Sequence, residues 1–218
     1  MARSASPLAP RVSPPDLPPR LEDGQPLSRD GDYFQLHWSD LEPVTDAAHA
    51  TITECRLSGA ALDRLDLSGA SLVDVELSDL RATTVTARAS RWRRVRATGG
   101  RIGTLDLADA DLDEVELRGV RIDYLSLAGG RITDLLVADC VIGSLDLPQA
   151  GVMRTAFSAS RAQEVDTRGL RAKDLDLRGL DALSFLDAGS LRGATLSSRQ
   201  IEDLAPALAA AAGIHVVD

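Results

Sequence analysis

The sequence predicts an all-β solenoid with a short C-terminal α-helical cap, and three observations carry that prediction. Leu62, Leu67, Leu72 and Leu77, then Leu107, Leu112 and Leu117, then Leu127, Leu147 and Leu177 share one five-residue register, which runs from Ile52 to about Ala182. A second apolar position lies two residues before the first: Ala60, Leu65, Ala70, Val75, Val85, Val95, Leu105, Ala110, Val115, Leu125, Leu135 and Leu145. Beyond the register, Ser197 and Gln200 form a capping-box pattern ahead of a stretch rich in Ala and Leu.

An apolar residue at every fifth position winds around an α-helix and alternates between the faces of a flat strand, so neither element accounts for it. Two apolar residues at spacing two make a very short strand with one buried face. The other three positions are mostly Asp, Glu, Arg, Ser, Thr and Gly, so each repeat turns a corner before the next strand begins. A chain that does this repeatedly coils around its own apolar axis.

Segments such as Ala60-Ala-Leu-Asp-Arg, Ala70-Ser-Leu-Val-Asp and Ala110-Asp-Leu-Asp-Glu resemble the A-[DN]-L-x-x unit of pentapeptide-repeat proteins. The resemblance implies a right-handed quadrilateral β-helix in which residues twenty apart stack, with coils about 4.8 Å apart and a rod roughly 30 Å long. The inward position beside the central one alternates between small residues (Ala60, Ala70, Ser90, Gly100, Ala110, Gly130, Cys140, Ala150, Ser160) and larger ones, which lets opposite faces interdigitate. The central position weakens at Ala82, Ala87, Ala97, Ala162, Thr167 and Ala172, and Trp92 replaces Leu once. Those coils are expected to pack less well.

The domain organisation follows in chain order. Residues 1–20 carry Pro7, Pro10, Pro14, Pro15, Pro18 and Pro19 with little apolar content, and read as a disordered tail without the basic start and apolar run of a signal peptide. Residues 21–51 hold Tyr33, Phe34 and Trp38 outside the register and read as an irregular N-terminal cap. Residues 52–190 are the repeat rod. In 191–218, Leu191 to Leu196 looks like one displaced repeat, Pro206 kinks the helix or starts a second one, Gly213 ends it, and Ile214 to Val217 can form a strand.

A helix followed by a Gly-Ile-x-Val strand is similar to the C-terminal end of the fluoroquinolone-resistance pentapeptide proteins. There that module joins two subunits tail to tail. The resemblance implies a homodimer with apolar contacts from Leu204, Leu208, Ile214 and Val216. The alternative is a cap that covers the last coil of a monomer, which every solenoid needs.

Composition narrows the function. No apolar run reaches the length of a membrane helix, which predicts a soluble chain with no membrane partner. Cys55 and Cys140 fall on the small inward position, four coils and more apart, and read as core residues in a reducing cytoplasm. His37, His49 and His215 lie outside the rod, so no His is expected to pair with a repeat Ser or Cys as base and nucleophile. Asp66, Asp106, Asp111, Asp146 and Asp176 precede a central residue and are expected to cap corners through their side-chain oxygens. No HExxH, CxxC, EF-hand or phosphate-loop spacing occurs, so the expectation is a non-enzyme without cofactor or metal. An enzyme with its site among Tyr33, Phe34, His37, Trp38 and His49 is the remaining catalytic reading.

Charge points to the surface that a partner would meet. The net charge is −9, yet residues 81–100 contain six arginines and no acid. Arg81, Arg88, Arg91, Arg93, Arg94, Arg96 and Arg101 make a basic belt between Asp79 and Asp106, and stacking continues Arg81 and Arg101 to Arg121. This belt is the candidate partner-binding surface, against the reading in which acidic coils above and below neutralise it. One belt on an acidic chain is a small footprint for direct nucleic-acid binding, which is not expected. The reading is a rigid protein-interaction scaffold for an unidentified protein partner. The alternative, implied by resemblance to the fluoroquinolone-resistance members, is a DNA gyrase partner acting by DNA mimicry, although the banded charge lacks a continuous acidic face.

Overall fold

In the computed structural model, which describes residues 6–215, strands twenty residues apart pair in parallel along the rod. Thr51–Ser58, Ser71–Ser78, Arg91–Thr98, Asp111–Arg118, Arg131–Ala138 and Gly151–Ser158 belong to a sheet of eleven strands. Ala61–Asp66, Arg81–Thr86, Arg101–Asp106, Arg121–Ser126 and Val141–Asp146 belong to one of eight. The architecture is the expected solenoid, of about eight turns. Both inward positions of the five-residue period are buried, as at Leu65, Leu67, Leu105, Leu107, Leu125 and Leu127.

Three of the four corners of each coil turn through left-handed residues. At one corner Gly59, Gly99 and Gly119 supply the positive φ without steric cost. The corner inside the long strands is different: Glu54, Asp74, Arg94, Glu114, Asp134, Arg154 and Asp174 all have φ between 50° and 56°. A non-glycine residue costs about 1 kcal/mol or more in that conformation, and here Arg94 pairs with Asp74 and Arg154 with Asp134 along the rod axis. The expected Asp caps form at Asp66, Asp106 and Asp176, whose carboxylates accept the N–H two residues on at 3.0–3.1 Å. Asp146 cannot do so because the residue two ahead is Pro148, which has no N–H. It accepts the Tyr124 hydroxyl instead, at 2.6 Å.

The coil expected to pack less well places Trp92 in one layer with three small neighbours. Ala82, Ala87 and Ala97 fill the three other central positions of the same coil, and all four residues are buried. One indole thus takes up space left by three small side chains, between Leu72 and Leu112 of the adjoining coils. Its Nε1–H has no hydrogen-bond partner.

The N-terminal cap is more regular than its composition predicts. Asp32–Phe34 and Leu36–Trp38 pair with Thr51–Ser58 at an offset of nineteen residues, and Val44–Asp46 pairs with Ala61–Asp66 at twenty, so this segment is a coil one residue short. Tyr33 and Trp38 meet edge to face at 5.5 Å and plug the core. The Trp38 Nε1–H donates to Gln25 O, and the Tyr33 hydroxyl donates to Pro26 O and accepts from Ser28 N. These partners satisfy the polar ends of both rings, as burial requires.

The described part of the tail is tied to the rod. The N–H groups of Leu8, Arg11 and Asp16 donate to Asp174, Asp134 and Asp74 respectively, at 3.1, 2.9 and 3.0 Å. A segment with too little apolar content to fold alone is held here by carboxylates that accept its backbone donors.

At the other end Ala194–Thr195 pairs with Leu175–Asp176 at an offset of nineteen, which accounts for the slip in register. A single helix, Ser198–Ala211, runs through Pro206 without breaking into two. The Ser197–Gln200 capping box is present, and Gln200 Nε2 also donates to Leu177 O and Leu180 O, each at 2.8 Å. Gly213 turns left-handed after the helix, and Ile214 and His215 form no strand. Val216 and Val217 lie outside the described residues.

Candidate interaction surface

The belt arginines divide into two groups according to the corner or face that carries them. Arg94, at the left-handed corner, reaches back one coil to Asp74 with Nε and Nη2 each 2.6 Å from a carboxylate oxygen. Arg154 grips Asp134 in the same bidentate way sixty residues later, at 2.7 and 2.6 Å. Arg96 donates to Glu116, whose other oxygen accepts Arg118 Nε. Arg88 pairs with Asp106 at 3.0 Å and Asp109 at 3.5 Å. Asp74, Glu116 and Asp134 are each about 95% buried, so these guanidiniums neutralise charges that would otherwise be stranded. Hydrogen bonds from Arg94 hold the Asp74 carboxyl below the usual carboxylate range, and those from Arg154 do the same for Asp134.

The second group lies on the smaller sheet. Arg81, Arg101 and Arg121 stand in register on successive coils, as the stacking predicts. Asp123 accepts from Arg101 at 3.0 Å and lies 3.8 Å from Arg121, with all three side chains about half exposed. Among the described residues Arg81 makes no ion pair, and neither do Arg91 and Arg93 on the larger sheet. A shallow surface depression runs beside the ladder, lined by Ala82, Thr83, Gly100, Gly103 and Asp123. At Gly103 a Cβ would stand 2.5 Å from Thr83 O, so only glycine allows that close approach. The belt is therefore split: Arg88, Arg94 and Arg96 are paired with carboxylates of the rod, while Arg81, Arg101 and Arg121 are exposed on the smaller sheet.

The C-terminal residues are likewise split. Leu204 is buried within its own chain and Leu208 packs against the same core, so the helix closes the last coil with two of the side chains expected at a dimer contact. Ile214 is exposed, and Val216 lies outside the described residues. The expectation that no His meets a repeat Ser is corrected: His37 Nε2 and Ser58 Oγ are 2.6 Å apart. The nineteen-residue offset of the first coil brings them together, a pairing that a twenty-residue stack does not predict. Among the described residues no carboxylate bonds the other ring nitrogen, and no group of three His, Cys, Asp or Glu could hold a metal. Both cysteines are free and buried, and burial pushes their thiols up, which favours the inert protonated form.

The pentapeptide-repeat family model matches residues 45–83 in eight copies, within a strand register that continues to Ala182. Residues 45–83 are pentapeptide repeats. No curated protein matches its sequence. Two trypsin-treated variants of QnrB1, a plasmid-mediated fluoroquinolone resistance protein, are similar solved structures. They show 16% and 17% identity and TM-scores of 0.36 and 0.34, over 89% and 88% of this chain and 100% and 98% of theirs. Likeness at that level carries no argument about what the chain does. The chemistry of this rod must be read from its own surface. No helix of the described residues is long and apolar enough to cross a membrane.

Proposed function

We propose that this pentapeptide-repeat solenoid is a non-catalytic scaffold that binds a protein partner through the smaller sheet, with Arg81, Arg101 and Arg121 at the contact. The observation that supports this is the ladder itself: three guanidiniums one coil apart on a flat parallel sheet, served by a single neighbouring carboxylate. Such a row suits carboxylates of an acidic protein surface, since guanidinium pairs with carboxylate in bidentate geometry. The free buried thiols fit a reducing cytoplasm.

The alternative partner, DNA gyrase met by DNA mimicry, needs a continuous acidic face. In the corner column Arg94 and Arg154 interrupt the acids Asp74, Glu114, Asp134 and Asp174, which favours the scaffold reading.

The test compares wild type with the Arg81→Ala/Arg101→Ala/Arg121→Ala variant as bait at physiological salt. Purified gyrase, assayed for supercoiling and cleavage, forms a separate arm. A protein retained by wild type and lost from the variant supports the reading. Equal retention by both removes the ladder from the contact, and inhibition or protection of gyrase by both proteins alike moves the assignment to the alternative.

A further inference from the structure

The corner that carries Asp74, Asp134 and Asp174 has features that neither the rod nor the ladder explains. Each of these carboxylates accepts an N–H from the tail, and Asp74 and Asp134 do so with the oxygen that also takes an arginine Nε. Asp74 and Asp134 are buried and held rigidly by Arg94 and Arg154. The acceptors therefore point at fixed positions along the rod axis.

Their spacing matches an extended proline-rich strand. Asp174 to Asp134 is two coils, about 9.6 Å, and Leu8 to Arg11 is three residues, about 9.3 Å at the rise of polyproline II. Asp134 to Asp74 is three coils, about 14.4 Å, against about 15.5 Å for the five residues from Arg11 to Asp16. Every donor directly follows a half-buried proline: Leu8 after Pro7, Arg11 after Pro10, Asp16 after Pro15. The same spacing puts Pro14 opposite Arg94, a corner that offers donors and no acceptor. Proline has no N–H to leave unpaired there. Charge agrees as well, for Arg11 lies where it lowers the Asp134 carboxyl and Asp16 where it raises the Arg94 guanidinium.

We propose that this corner is a binding groove for extended, proline-rich peptide strands, and that residues 7–16 are a resident ligand which a peptide of the same class can replace in trans. The recognition is of backbone: N–H donors three and five residues apart, each after a proline. A basic side chain sits over Asp134 and an acidic one beside Arg94.

The experiment titrates a fluorescein-labelled peptide with the sequence of residues 6–19 into full-length wild type and into the full-length Leu8→Pro/Arg11→Pro/Asp16→Pro variant, read by anisotropy. Proline keeps the extended backbone and removes the donor at each position. The expected result is binding to the variant and roughly tenfold or weaker binding to wild type, where the tethered segment competes at an effective concentration of about millimolar. Adding Asp134→Ala to the variant, or placing prolines at the same three positions of the peptide, should abolish the signal. No binding to the variant, or equal binding to both proteins, overturns the groove and leaves a tethered strap only. Amide exchange on the unaltered full chain gives a second reading: the Leu8, Arg11 and Asp16 amides should exchange more slowly than those of Ala9, Val12 and Ser13. Uniformly fast exchange would sink the proposal at its first step.

Discussion

Arg94 and Asp74 are joined across one coil by two hydrogen bonds of 2.6 Å, and the same carboxylate accepts the Asp16 N–H. The pair explains why an arginine occupies a left-handed corner that glycine would fill with less strain. It also separates two kinds of arginine that look alike in the sequence: those that complete the rod and those that stay exposed on its face.

Removing Arg94 leaves the buried Asp74 charge without its counter-ion. Arg94→Ala should destabilise the fold by about 1–3 kcal/mol, and the Asp74→Ala/Arg94→Ala double variant by less than the sum of the two single changes. Urea denaturation of the four proteins closes the cycle. Additive effects would show that the pair is not coupled.

The corner carboxylates also predict an acid limb. Asp74 and Asp134 are held down chiefly by the arginine hydrogen bonds, so their folded values lie below the unfolded value of about 3.9. A depressed carboxyl contributes stability that is complete above the unfolded value and lost as pH falls through the folded one. Melting temperature should therefore fall between about pH 4 and pH 2, and fall less steeply in the Asp74→Asn/Asp134→Asn variant, which has nothing to titrate there. Parallel curves for the two proteins would show that other groups govern the acid limb.

Trp92 is the only large side chain at the centre of its coil. Trp92→Ala leaves four alanines at the central positions and should cost about 3–5 kcal/mol, whereas Trp92→Leu should cost less because it restores the common central residue. Thermal melts of both variants check the order.

At the C-terminal end Gln200 bonds the Ser197 backbone and two carbonyls of the last coil. Gln200→Ala should destabilise by about 1–2 kcal/mol and raise amide exchange first near Leu177 and Leu180, since the cap opens before the rod. Protection lost evenly along the whole chain would contradict that account.

The rod was legible because its signal is periodic: Leu62, Leu67, Leu72 and Leu77 repeat often enough to outweigh any local exception. A position-by-position reading of Ala82, Ala87, Trp92 and Ala97 misses that the four share one layer. The tail was illegible for a different reason. Its composition predicts a disordered tail, whereas its anchors, Asp74, Asp134 and Asp174, become one column only after the chain has coiled. The His37–Ser58 contact depends on a single missing residue in the first coil, which no repeat pattern records. Arg81 and Arg94 are both plain belt arginines in sequence, and only the corner geometry tells which one has a carboxylate within reach.

The division between corner and ladder arginines can be measured without knowing the partner. Thermal melting of Arg81→Ala/Arg101→Ala/Arg121→Ala beside wild type is the direct test, since exposed pairs contribute about 0–1 kcal/mol and surface changes usually stay within about 0.5 kcal/mol. The account predicts a melting temperature within about 4 °C of wild type, the shift that 1 kcal/mol produces in a chain of this size. A drop well beyond that would show that the ladder holds the rod together, and would contradict its assignment as a surface left for a partner.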